Sequence, residues 1–171
     1  IARQRAPKAT FQRASFLDNA FPPCQAVTAI GEVFTYRFDQ RNSLETLRVL
    51  WTHIYEQLLP EGYLIFDLLE PGMLNGASEY SRIAEGKDWT IFLHYKEDVV
   101  AQTFSRDITA FRRIGDLYRK SNELHEVNTF KRAEVVDTLR AIGFQVEVVK
   151  GYAGTDFRAG HVGFIAQKTG I

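Results

Sequence analysis

Residues 25–30 (QAVTAI) and 63–69 (YLIFDLL) are short apolar runs with neither helical spacing nor strict alternation. The first is closed by Gly31, the second by Glu70-Pro71-Gly72, and such runs predict strands buried on both faces. Between them Leu44, Leu47, Trp51, Ile54 and Leu58 recur at helical spacing, so residues 43–59 predict an amphipathic helix. Asn42 with Glu45 three residues on reads as its capping box, and Pro60 and Gly62 stop it. Strand, helix, strand in this order predicts a right-handed crossover between adjacent parallel strands.

From Trp89 the period changes to two: Trp89, Ile91, Leu93 and Tyr95 alternate with Thr90, Phe92 and His94. With turns at Lys96-Glu97-Asp98 and Gly115-Asp116, residues 89–128 predict a three-stranded antiparallel meander. The preceding residues 73–87 read as a loop or short helix. Beyond the meander, Ala133, Val135, Val136, Leu139 and Ile142 mark a helix capped by Gly143. A strand at 144–149, a glycine-rich loop at 151–160 and a strand at 161–167, returning antiparallel, complete the pattern. At the other end, residues 10–14 suggest a short strand, and IARQRAP reads as the tail of a helix broken at Pro7.

The chain has 171 residues, of which 45% are hydrophobic, which suits one domain whose core needs no staple. Its single cysteine, Cys24, excludes an internal disulfide framework, and no H-x-H, C-x-x-C or H-E-x-x-H pattern suggests a metal. Lys plus Arg equals Asp plus Glu, 21 each, so no global charge draws the chain to nucleic acid or anionic membranes. Asp67 interrupts the longest apolar run, far short of the roughly 20 residues of a membrane span. No apolar stretch follows the N-terminal basic residues, so a cytoplasmic location is expected.

Ile30, Gly31 and Glu32 end the first predicted parallel strand, where open α/β sheets place ligands, and Gly31 lets a ligand approach the backbone. The bland alternative is a plain strand-to-loop turn. Tyr36 lines the same mouth or simply covers the core. Period two puts Glu123 and His125 on one face of the meander, with Leu124 on the other. A histidine there suits proton removal from a substrate hydroxyl or amine, oriented by the glutamate. The alternative is a solvated polar face. Arg106 and Arg112 alternate on the preceding strand, as partners of these acids, of an anionic substrate or of surface carboxylates. His94 and His161 lie in strands without partners at ligand spacing.

Four segments resemble, in order, the C-terminal two-thirds of a class I S-adenosylmethionine-dependent methyltransferase. They are FLD at 16–18 with FPPCQAVTAIGEVF at 21–34, LPEGYLIFD at 59–67, LRAIGF at 139–144, and GHVGFIA at 160–166. The resemblance implies an α/β fold, a Rossmann-like methyltransferase sheet holding strands 3–7 of the family order 3-2-1-4-5-7-6, with the β-meander inserted as a lid or substrate wall. It implies S-adenosylmethionine as cofactor, with Ser15 and Phe16 beside the adenine and Ile30, Gly31, Glu32 and Tyr36 in the rest of the site. His125 and Glu123 would be its acid–base pair, and the reaction methyl transfer to N or O of a small-molecule acceptor. No G-x-G loop opening a helix is present, nor the acidic residue that holds the ribose, so a truncated chain with crippled cofactor binding is expected. Exposed sheet edges then favour a homodimer. A non-catalytic ligand- or partner-binding module is the alternative, while a dinucleotide oxidoreductase fits AIGEVF and the antiparallel last strand poorly.

Overall fold

The structure, a computed structural model, describes residues 2–18 and 20–170. After one helical turn, α1 (Ala2–Arg5), no strand forms among the described residues before β1 (Cys24–Ala29). The strand expected at residues 10–14 is absent, and these residues are exposed. No neighbouring strand is there to pair with them, and an isolated extended segment has no ladder to hold it.

The crossover is as expected. β1 and β2 (Leu58–Leu69) pair in parallel, with Val27 opposite Leu64 and Ala29 opposite Phe66, and α2 (Leu44–Gln57) runs between them. The cap differs. The Ser43 hydroxyl accepts the Thr46 N–H at 3.2 Å, and the Thr46 hydroxyl accepts the Ser43 N–H at 2.9 Å. Asn42 is instead buried, its amide donating to the carbonyls of Phe34 and Tyr36 at 2.8 Å, which takes it from the cap to the loop after β1. The register of β1 on β2 shifts between Cys24 and Ala26, and the chain is tightest there at Gly62. A Cβ on Gly62 would lie 2.8 Å from the Leu59 carbonyl oxygen and 2.9 Å from that of Gln25.

The sheet order is β1-β2-β10-β7, with β10 (His161–Lys168) antiparallel to both β2 and β7 (Phe144–Val149). α2 packs against α3 (Arg132–Ile142), which ends at Gly143 with φ 121°. Leu47, Trp51 and Ile54 of α2 bury themselves with Val135 and Leu139 of α3 against Leu64, Phe66 and Phe164 of the sheet. Each such side chain contributes about 1.5–3 kcal/mol on leaving water.

The inserted sheet has four strands, not three: β3 (Glu79–Gly86), β4 (Trp89–Asp98), β5 (Thr103–Ile114) and β6 (Leu117–Asn128), paired antiparallel in sequence order. β3 is an edge strand exposed along nearly its whole length, so no core imposed alternation on its sequence. Lys96, Glu97 and Asp98 continue β4, and the turn falls at residues 99–102. Main-chain bonds tie the meander to the parallel sheet: Arg37 N–H to Glu126 C=O at 2.9 Å, and Phe130 N–H to Leu69 C=O at 2.8 Å. A second apolar cluster of Leu69, Phe104 and Val127 fills that junction. The glycine-rich segment folds into a small hairpin of β8 (Gly151–Tyr152) and β9 (Thr155–Asp156).

Candidate active site

At the carboxyl end of β1 two consecutive residues turn left-handed, Gly31 at φ 88° and Glu32 at φ 63°. For Glu32 that backbone costs on the order of 1–2 kcal/mol. Its N–H and that of Gly31 converge on the Asp67 carboxylate near the end of β2, Gly31 at 3.0 and 3.1 Å to the two oxygens. Hydrogen bonds to a charged acceptor contribute roughly 1.5–3 kcal/mol each, enough to hold the conformation. Tyr152 of the hairpin donates its hydroxyl to the Phe66 carbonyl at 2.6 Å. Burial, with the charge of Asp67, pushes its pKa up to about 12, so it stays a donor.

The turn aims the Glu32 side chain at two hydrogen-bond donors, one of them a guanidinium. One carboxylate oxygen accepts from Arg106 of β5, the other from His161 Nε2 at the start of β10. Burial pushes the Glu32 pKa up, but the His161 and Arg106 hydrogen bonds and the Arg106 charge outweigh it, and the net shift is downward. Glu32 is therefore an ionised acceptor, so His161 Nε2 carries the proton in their bond. The His161 Nδ1 is buried without a partner among the described residues.

Glu32 and His161 line two cavities. One, about 310 Å³, is bounded by Ile30, Gly31, Asp67, Phe157 and Arg158. The other, about 440 Å³, lies against the meander, with Met73, Leu74, Tyr80, Tyr95, Phe104 and Arg106 in its wall. Gly31 and Glu32 stand at the expected strand end, and His161, 129 residues from Glu32 in sequence, reaches it through the sheet order rather than through spacing.

Ser15 and Phe16 lie apart from these, on a third cavity of about 610 Å³ shared with Arg13, Phe38 and Asp39. The Ser15 hydroxyl donates to Asp39 at 2.7 Å, and Phe16 meets Phe34 edge-on at 5.5 Å. Arg41 bridges Asp18 and Asp39, and its hydrogen bonds hold both carboxyls below the usual range. Tyr36 forms an isolated bridge with Val127 and stacks on Phe38 at 5.0 Å.

His125 stands opposite Arg106 in register and so on the same face of the meander. Its ring meets Tyr36 edge-on at 5.7 Å, and its Nε2 lies 3.2 Å from a Glu123 carboxylate oxygen. Neither His125 nor Glu123 lines the two cavities that Glu32 lines. Arg112 pairs in register with Trp89 and Arg119, away from Glu32. Among the described residues no group of three or more His, Cys, Asp or Glu is placed to hold a metal, and no helix is long and apolar enough to cross a membrane.

A parallel β1-β2 pair extended by an antiparallel β10 and β7 reproduces the 4-5-7-6 part of the sheet of class I S-adenosylmethionine-dependent methyltransferases, and this chain has that part of the fold. It superimposes on an S-adenosylmethionine-dependent methyltransferase from Clostridium acetobutylicum with TM-score 0.80 and 16% identity, over 98% of this chain and 68% of that one. A second match is the S-adenosylmethionine-bound amino pentose methyltransferase of Micromonospora echinaspora involved in calicheamicin biosynthesis, at TM-score 0.75 and 15% identity, covering 98% and 68% of the two chains. A third is DesVI of Streptomyces venezuelae, at TM-score 0.75 and 19% identity, covering 96% and 67%. No protein-family model matches the chain, and no curated protein matches it in sequence.

Open space and exposed apolar surface stand around the end of β1. An ideal Cβ on Gly31 meets nothing within 4 Å, which leaves open space over the strand end. Ile30 and Phe38 expose 51% and 76% of their surface, apolar area free to cover a flat or aliphatic group.

Proposed function

We propose that this chain acts in S-adenosylmethionine-dependent methyl transfer to a nitrogen or oxygen of a small-molecule acceptor. The observation that carries the reading is the left-handed Gly31–Glu32 turn, fixed by Asp67, between a cavity at the sheet end and a cavity walled by the meander. In this reading Ser15 and Phe16 hold the adenine, and Ile30, Gly31, Glu32 and Tyr36 hold the remainder of the cofactor. When bound, that group supplies an electrophilic methyl.

The protein's own part is alignment and proton handling. The 440 Å³ cavity takes the acceptor between aromatic walls, and alignment of nucleophile with methyl is the main catalytic contribution. Glu32, Arg106 and His161 form a closed hydrogen-bonded cluster that keeps the strand end rigid. His125, with Glu123 at its Nε2, stands outside that cavity on the face it shares with Arg106, so it is the proposed proton acceptor for a substrate that extends past Arg106. The match to an amino pentose methyltransferase makes amino sugars the first acceptors to try.

The test is incubation with millimolar S-adenosylmethionine and a panel of amino sugars and simple amines, read by mass spectrometry for a methylated product. Product with matching S-adenosylhomocysteine release supports the reading, and its absence across the panel from folded protein overturns it. His125→Asn is expected to lower kcat by about a hundredfold.

A further inference from the structure

Glu97 is a buried carboxylate, 7% exposed, with no cationic partner among the described residues. Its oxygens serve one short turn. Oε1 accepts the N–H of Gly72 at 2.7 Å and of Met73 at 3.0 Å, and Oε2 accepts the N–H of Leu74 at 2.8 Å. Three successive donors on one carboxylate make a charge-assisted clamp between β4 and the turn that leaves β2. The backbone of that turn is left-handed at Gly72, Asn75 and Gly76, so its path is narrowly defined.

The clamp delivers Met73 and Leu74 to the wall of the 440 Å³ cavity. From the far side, Met73 rests on Gly160, where a Cβ would come within 2.1 Å of its sulfur. Among the other apolar wall residues, Tyr80, Leu93, Tyr95 and Phe104 stand on paired strands. Met73 is thus the one unbranched, polarisable side chain of the wall, held at its backbone by Glu97 and at its tip by Gly160.

We propose that Met73 determines which acceptors the cavity admits, and that Glu97 is its positioning residue. This rests on the cavity being the acceptor site. A small change in such a wall moves discrimination between substrates differing by a methylene by about tenfold or more.

Met73 is the only methionine in the chain, so isotope labelling of methionine methyls yields one resonance from this wall. Glu97→Gln replaces one acceptor oxygen by an amide donor facing an N–H. It is expected to shift or broaden that resonance and to raise KM for the acceptor about tenfold, with affinity for S-adenosylhomocysteine unchanged. Met73→Ala is expected to shift the kcat/KM ratio of a bulky over a small amine acceptor about tenfold toward the bulky one. An unmoved resonance in folded Glu97→Gln protein, or an unchanged ratio in Met73→Ala, overturns the inference. If Glu97→Gln does not fold, Met73→Ala decides alone. If no acceptor is turned over by any form, the activity reading fails. The inference is then judged by titrating the same amines into labelled wild-type protein, where a Met73 methyl that stays still overturns it.

Discussion

Arg106, on the third strand of the meander, donates to Glu32 at the end of the first strand of the parallel sheet, across 74 residues of sequence. This pair and the His161 bond to the same carboxylate join β1, β5 and β10 at one point. Glu32 is 8% exposed, so the charges meet where water screens them little.

Removing one member of such a buried pair strands the others. Glu32→Ala is expected to cost about 3 kcal/mol, since a buried charge loses its partner. Glu32→Gln, which keeps an acceptor oxygen, should cost less. Urea unfolding of both variants checks the order, and a loss below about 1 kcal/mol for the alanine would mean that the cluster behaves as a surface pair.

The lowered pKa of Glu32 has a definite sign in stability. A carboxyl whose pKa is depressed by folding contributes stability above its ordinary value of 4.5, and that contribution is lost as pH falls toward the folded-state pKa. The urea midpoint should therefore drop on acidification from pH 4.5 downward, and the drop should be smaller in Glu32→Gln. Identical acid limbs in the two proteins would remove Glu32 as a source.

Asp67 is 3% exposed and holds the left-handed turn through two backbone N–H groups. Asp67→Asn presents one acceptor and one opposing donor, so about 2 kcal/mol of stability should be lost. Amide exchange localises the effect: the Gly31 and Glu32 amides should speed up while those of β7 keep their rates. Uniform acceleration would show a global loss instead.

Cofactor affinity is a separate matter. No Gly-x-Gly turn opens a helix among the described residues. Weak binding is expected, since the hydrogen bonds such a turn makes to a bound cofactor amount to on the order of 4 kcal/mol. That is about three orders of magnitude in Kd. Calorimetric titration of the 171-residue chain with S-adenosylhomocysteine should give a millimolar constant, and a micromolar one would show the site complete without them.

What the sequence determined by itself is the local order of the chain. The runs at β1 and β2, the helical stripe from Leu44 to Leu58 and the alternation from Trp89 report burial directly, because each such side chain must leave water on one known face. Gly31 and Glu32 were legible as a strand end for the same reason. Asn42 and Ser43 both suit a cap, and which of them caps α2 depended on the carbonyls of Phe34 and Tyr36, a loop the helix pattern does not contain. β3 escaped because an exposed edge strand carries no burial signal. The cluster of Glu32, Arg106 and His161 was decided only in three dimensions. Charged side chains find partners through space, and sheet order, not spacing along the chain, brought β5 and β10 to the end of β1.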